Sequence, residues 1–224
     1  VDGKLTPELI DPVFKGFESE HMVVPKLVYI SQSTELGTIY SKAELTALSE
    51  YCHSNGMWLF VDGARLGSAL MAKCNDVTLK DIGELCDGFY LGGTKNGLLF
   101  GEALVLTDPK VYDHLRWLIK QRGYMLAKGF VVGAMFEEAL GSGLYFEMAK
   151  YENEAAERIV EAIKQAITQA IKIAIKQGIK AAIKFLVKTL SKAAVKAATR
   201  IFSSGKSIIS KSFPKLSKVM NALG

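Results

Sequence analysis

Three polar residues stand directly after two apolar runs of the sequence, where strands are predicted to end. Asp62 and Arg65 follow the first run, and Lys95 follows the second after the glycine pair Gly92 and Gly93. A lysine amine can hold a carbonyl compound as a Schiff base, and a carboxylate can keep a ring nitrogen protonated. Open α/β sheets collect their sites at the carboxyl ends of strands, so we expect Asp62 and Lys95 to lie near each other.

Strands and helices alternate through the first part of the chain. A capping box, Ser41 with Glu44, begins a predicted helix that continues to about His53. The runs that predict strands, the first two of them buried, are 27–30, 57–61, 87–91 and 102–106. Only helices are predicted after Asp108, and this order of elements predicts an α/β domain with a mostly parallel sheet.

The two motifs and their surroundings resemble one protein family. The segment 59–65 followed by 91–97 is similar to low-specificity L-threonine aldolases of pyridoxal-phosphate (PLP) fold type I, in the beta-eliminating lyase group. The segment 28–40 and the helix pair 116–150 are also similar, so the resemblance covers about residues 1–158. It implies PLP as cofactor and cleavage of a β-hydroxy amino acid such as threonine to glycine and an aldehyde.

The resemblance assigns roles to five side chains. Lys95 would form the Schiff base with PLP, Asp62 would pair with the pyridinium nitrogen, and Thr94 would touch the cofactor beside the lysine. Arg65 would reach the ring hydroxyl or the substrate carboxylate. Lys128 matches a position that helps to hold phosphate, often across the interface of a homo-oligomer.

Each of these residues also has an ordinary structural explanation. An aspartate after a strand often caps a helix, and a lysine in a glycine-rich turn is usually solvated. Gln32, Ser33 and Thr34 are predicted to lie near the PLP ring. We interpret them as ordinary polar residues of a loop. Only the two motifs together, with the residues on either side of them, favour a cofactor site over these structural explanations.

Parts of the family's pattern are missing from this sequence. The first residue is Val1, and the family's phosphate-holding loop and ring-stacking side chain would lie upstream of it. We therefore expect residues 1–150 to form a partial fold type I large domain with an incomplete pocket and impaired activity. The alternative is a non-catalytic fragment or fusion.

Residues 151–224 form a predicted lysine-rich, all-α tail, which lies outside the resemblance beyond about residue 158. From Ala162 to Gly224 there are 13 basic and no acidic residues, which leaves 15 basic against 23 acidic residues before it. Lys or Arg recurs at every fourth position from Lys172 to Arg200, and Ile or Val precedes six of the eight. This low-complexity pattern predicts a basic amphipathic helix with too many charges to cross a membrane.

The tail has three candidate partners. Lysines without acidic neighbours bind anionic membranes, nucleic acid or an acidic protein face. The interleaving of polar and aromatic residues that is typical of a nucleic-acid platform is absent, which leaves the membrane and the acidic protein face. The acidic first domain of the same chain is an equally plausible partner.

The three cysteines, Cys52, Cys74 and Cys86, have neither metal-type nor disulfide-type spacing. An odd number of scattered cysteines indicates reduced thiols and a cytoplasmic setting. We expect them to be small buried apolar side chains.

Overall fold

A computed structural model describes residues 2–16, 19–108, 114–177, 179, 181–192, 195 and 196. The chain divides into two compact units, Val1–Tyr151 and Glu152–Gly224, while the predicted boundary after residue 150 stays a prediction. The elements in chain order are α1 (Pro7–Lys15), β1 (Leu27–Ser31), α2 (Lys42–Ser54), β2 (Trp58–Asp62), α3 (Leu66–Leu70), α4 (Leu79–Leu85), β3 (Gly88–Gly92), a 3₁₀ turn (Thr94–Asn96), β4 (Glu102–Leu106), α5 (Leu115–Gln121), α6 (Phe130–Gly141) and α7 (Leu144–Gln177).

The four strands form one sheet in the order β1-β2-β3-β4. β1 pairs with β2 and β2 pairs with β3 in parallel, whereas β3 and β4 are antiparallel. The parallel pairs are joined through helices, but only a short segment separates β3 from β4, and such a connection returns the chain antiparallel. The predicted α/β class with a mostly parallel sheet is confirmed.

Two capping boxes begin the helices that pack beside the sheet. The predicted box at the start of α2 is present, because Ser41 accepts from the Glu44 N–H and the Glu44 carboxylate accepts from the Ser41 N–H. Helix α4 was not predicted, although Thr78 and Asp81 form a second box of the same kind at its start. Its signal is the Thr-x-x-Asp spacing, with an aspartate in place of the more usual glutamate.

The two faces of the sheet differ in their surroundings. Val28, Ile30, Leu59 and Val61 are buried in the hydrophobic core, which also holds residues of α2 and α4. The side chains that alternate with them are partly exposed, for example Leu27 at 50% and Trp58 at 47%. The prediction of fully buried first and second strands is therefore wrong for this face, and the strands instead show a period-two pattern.

Two of the three cysteines have the buried environment that was predicted. Cys52 and Cys86 are in the core, and burial raises the pKa of the Cys52 thiol to about 11 and that of Cys86 to about 12. Cys74 is exposed, so the prediction is wrong for this residue. It lies in the connection between α3 and α4.

The predicted helical tail is confirmed as far as the structure describes it. The second unit contains α7 from Glu152 onward and a further helical segment at 181–192. Alanines at 166, 170 and 182 are buried, whereas the isoleucines and valines of the repeat are exposed, Ile175 at 80%. No helix among the described residues is long and apolar enough to cross a membrane. Arg200, the end of the predicted repeat, lies outside the described residues.

Candidate active site

The turn after β2 and the end of β3 are packed backbone against backbone. The Gly92 N–H donates to the Gly63 carbonyl oxygen at 2.9 Å. A Cβ atom built on Gly63 would lie 1.7 Å from the Tyr90 carbonyl oxygen, and one on Gly92 would lie 2.4 Å from the Ala64 carbonyl oxygen. Both glycines are therefore required by close approach, and the contact brings the Asp62 motif beside the Lys95 motif.

Lys95 lies in the 3₁₀ turn that follows β3, and buried side chains hold this turn in place. The buried Asn96 amide donates to the Tyr145 carbonyl oxygen at 2.8 Å. The Tyr145 hydroxyl donates in return to the Gly92 carbonyl oxygen at 3.0 Å. The turn closes at Gly97, whose φ of +87° is the left-handed conformation that favours glycine. Anchored in this way, the turn leaves the side chain of Lys95 exposed.

Asp62, at the end of β2, accepts a hydrogen bond on each of its two carboxylate oxygens. Its Oδ1 accepts from the Ala64 N–H at 2.9 Å, and its Oδ2 accepts from the Tyr29 hydroxyl at 2.7 Å. The Tyr90 hydroxyl lies 3.3 Å from that of Tyr29 and also lowers the pKa of this carboxylate. Burial is the largest single influence and opposes ionisation, but these donors and the charge of Lys95 outweigh it and lower the pKa of Asp62. Asp62 is an anion at neutral pH, and Lys95 is close enough to stabilise it.

Glu102 is a further carboxylate at this site that the sequence did not reveal. Glu102 is the first residue of β4 and pairs with Gly92. Gly92 stands two residues before the turn that carries Lys95. Burial raises the pKa of Glu102, the negative charge of Asp62 adds to that effect, and the Gly93 N–H and Lys95 oppose it. Only the antiparallel register of β3 and β4 brings it here, and that register was not predicted.

The other two predicted cationic residues are placed differently. Arg65, in the turn after β2, forms an ion pair with Glu35 in which Nη1 lies 2.9 Å from Oε1 and Nη2 lies 3.4 Å from Oε2. Lys128 lies in the turn before α6 with an exposed side chain. Thr94 is exposed beside Lys95. The structure thus brings Asp62, Thr94 and Lys95 to one edge of the sheet and gives Arg65 a partner of its own.

The loop after β1 is held by its own polar side chains. The buried Gln32 side chain donates to the Tyr40 carbonyl oxygen at 3.1 Å and accepts from the Tyr40 N–H at 2.8 Å. Thr34 and Thr38 join their hydroxyls across the same loop at 2.6 Å. These bonds support the interpretation of this segment as a structural loop.

A serine, a histidine and an aspartate also come together on the helical side of the sheet. Ser49 Oγ lies 3.4 Å from His53 Nδ1, and His53 Nε2 lies 3.1 Å from Asp87 Oδ2. The Ser49 hydroxyl, however, donates to the Leu85 carbonyl oxygen at 2.6 Å. Because its proton is directed away from His53, this cluster ties α2 to the start of β3 and is not an activated nucleophile.

Comparison with known proteins identifies relatives of this chain. A low specificity L-threonine aldolase of Pseudomonas sp. (strain NCIMB 10558) is 34% identical over 159 residues, 69% of this chain and 45% of the relative. The protein of the same name from Pseudomonas aeruginosa is 31% identical over 163 residues, 71% of this chain and 46% of the relative. A solved structure of Leishmania major threonine aldolase superposes with a TM-score of 0.71 at 45% identity, over 74% of this chain and 48% of that one.

This chain therefore spans less than half the length of the relatives it matches. The family model for beta-eliminating lyases matches residues 1–182. The match extends beyond the 158 residues predicted from the sequence and includes the whole of α7, so it takes in part of the tail that was expected to lie outside the family. The resemblance drawn from the two motifs is confirmed, and the chain belongs to the beta-eliminating lyase family.

Proposed function

We propose that this chain carries the lysine-bearing part of a PLP-dependent aldehyde-lyase site that acts on a β-hydroxy amino acid such as threonine. The observation that supports the proposal is the meeting of Asp62 and Lys95 at one edge of the sheet. They are held there by the Gly63–Gly92 contact in a chain whose relatives are threonine aldolases.

The residues present fit the cofactor by the chemistry of their donors and acceptors. Asp62 is ionised and has acceptor capacity for a protonated ring nitrogen. Lys95 presents its amine to solvent from a turn whose backbone is fixed, so a carbonyl group can reach it. When bound, PLP supplies an electron sink for the cleavage of a carbon–carbon bond beside the amino group.

The remaining roles follow the family resemblance. Thr94, next to Lys95, would contact the cofactor, and Lys128 would help to hold its phosphate in a homo-oligomer. Arg65 would bind the ring hydroxyl or the substrate carboxylate, which requires its ion pair with the exposed Glu35 to open. An exposed pair of this kind contributes little stability, so its loss is no barrier. We also propose that the protein is located in the cytoplasm.

Reductive trapping tests the assignment of the lysine. The purified chain is incubated with PLP, reduced with borohydride and digested, and the modified lysine is identified by mass spectrometry. We expect the label on Lys95 in preference to the many other exposed lysines, since Asp62 holds the ring beside it. A parallel assay measures aldehyde released from threonine. Label spread over exposed lysines in proportion to their accessibility would contradict the proposal.

We further propose, as a second function, that the C-terminal unit binds an anionic membrane surface. In the repeat, Ile171, Ile175, Ile183 and Val187 are exposed, and each is followed by an exposed lysine. The first unit carries the excess of acidic residues, whereas no acidic residue follows Glu161. Each basic residue near an acidic bilayer contributes on the order of 1 kcal/mol within a screening length of about 8 Å.

Co-sedimentation of the full chain with lipid vesicles tests this second function. We expect binding to vesicles with phosphatidylserine and little binding to neutral vesicles. A variant with four glutamines at Lys172, Lys176, Lys184 and Lys188 should lose this binding. The matched control removes the same charge from the first unit, at Lys15, Lys26, Lys73 and Lys80. Equal loss in both variants, or no binding by the unaltered chain at low salt, would contradict the idea.

A further inference from the structure

Two tyrosines on neighbouring strands converge on Asp62. Tyr29 lies on β1 and Tyr90 on β3, on either side of the strand that carries Asp62. Tyr29 donates to Asp62 Oδ2 at 2.7 Å, the hydroxyl oxygens of Tyr29 and Tyr90 are 3.3 Å apart, and both phenols lower the pKa of the carboxylate. Neither residue belongs to the two motifs that drew attention to the site.

An aromatic ring between the two tyrosines fixes their direction. The rings of Tyr29 and Phe60 are stacked, with centroids 5.7 Å apart and planes 5° apart. The Tyr90 ring is tilted against the other side of Phe60 at 6.0 Å. These pairs span three adjacent strands on one face of the sheet, and they direct both hydroxyls toward the end of β2.

We propose that Tyr29 and Tyr90 are positioning residues, which hold the Asp62 carboxylate ionised and leave acceptor capacity on it for the ring N–H of the cofactor. An ionised carboxylate accepts about four hydrogen bonds. The Ala64 N–H and the Tyr29 hydroxyl occupy one acceptor position on each oxygen, and the Tyr90 hydroxyl lies 3.3 Å from that of Tyr29, so acceptor capacity remains on the carboxylate. This inference rests on the proposed function, since it names what orients the carboxylate of that site.

The charged and titratable groups around Asp62 set the sign of its pH dependence. They are Tyr29 on β1, Tyr90 on β3, Lys95 in the turn and Glu102 on β4. Donors to the ionised form lower the pKa of Asp62, so removing either phenol raises that pKa. Burial, and after it the contact with the Asp62 carboxylate, raises the pKa values of Tyr29 and Tyr90, which keeps both phenols protonated as donors. If the cofactor binds only to ionised Asp62, its binding is lost as the pH falls through the pKa of Asp62. Without the hydroxyl of Tyr29 or of Tyr90 that pKa is higher, so we expect the loss of binding to begin at a higher pH.

Substitution of each tyrosine by phenylalanine tests the proposal, because it removes the hydroxyl and keeps the stacked ring. Carbon-13 labelling of aspartate lets NMR titrate Asp62 in the chain without PLP, and the unlabelled Glu102 does not interfere. The dissociation constant for PLP is measured separately against pH. We expect a raised pKa of Asp62 in Tyr29→Phe and Tyr90→Phe and, below neutral pH, PLP binding weakened about tenfold by each.

Tyr51→Phe is the matched control, since Tyr51 donates to Asp11 at 3.0 Å elsewhere in the same unit. It should raise the pKa of Asp11 and leave the affinity for PLP unchanged. A pKa of Asp62 that stays the same in both site variants would overturn the proposal, even where PLP still binds. A wild-type chain that binds no PLP would overturn the proposed function, whereas a raised Asp62 pKa would still support the role of the two phenols.

Discussion

Replacing Lys95 by alanine is expected to abolish the absorbance band that a lysine–PLP linkage gives near the visible range. The turn that carries Lys95 is anchored through Asn96 and Tyr145, and both bonds use groups that this substitution leaves in place. The side chain of Lys95 is exposed, so its loss leaves no cavity. The fold should therefore survive, and the band and any release of aldehyde from threonine should fall to background.

Lys80→Ala is the matched control for this experiment. Lys80 is a strongly exposed lysine on α4, with its amine 3.5 Å from the Glu84 carboxylate of the same helix. Its removal should leave the absorbance band and the borohydride label unchanged. A band of undiminished strength in the Lys95 variant would mean that another lysine holds the cofactor, and the assignment of the site would then be wrong.

The sequence predicted the parts of the site that depend on local order along the chain. Asp62 and Lys95 each follow an apolar run, and parallel strands present their carboxyl ends at a common edge. The capping box at Ser41 is likewise a local signal, and it marks the start of α2 correctly. The family resemblance rests mainly on the short segments around Asp62 and Lys95, and it agrees with the family match.

Contacts between residues far apart in the chain could not be predicted in the same way. Tyr29 is 33 residues from Asp62, and Asn96 is 49 residues from Tyr145. Nothing in the composition near Tyr29 distinguishes a tyrosine that holds a carboxylate from one that packs on a sheet. The strand order and register decide this, and they became known only with the fold.

The open face of the sheet was missed for a related reason. A short apolar run predicts burial without saying on how many faces, and β1 and β2 are covered on one. Glu102 escaped notice because its position depends on the antiparallel pairing of β3 with β4. The sequence predicted that Arg65 binds the cofactor or the substrate. In the structure its guanidinium forms an ion pair with Glu35.

Gly63→Ala is expected to cause the largest loss of stability among conservative changes at the site. The added Cβ would lie 1.7 Å from the Tyr90 carbonyl oxygen and 3.1 Å from Leu66 Cβ. A backbone oxygen in the middle of a paired strand cannot rotate away, so the turn must separate from β3. We expect the free energy of unfolding, from urea titration followed by tryptophan fluorescence, to fall by about 3 kcal/mol.

The same separation would break the bond from the Gly92 N–H to the Gly63 carbonyl oxygen, which holds the Asp62 turn against the strand that leads to Lys95. The affinity for PLP should therefore fall together with stability. Gly83→Ala makes the same chemical change inside α4, where a new Cβ meets nothing within 4 Å. Alanine favours a helix over glycine by about 1 kcal/mol, so this control should be stabilised and should bind PLP as before. Similar stabilities for the two variants would show that the turn after β2 has room for a side chain, and the close contact could then not be what holds Asp62 beside Lys95.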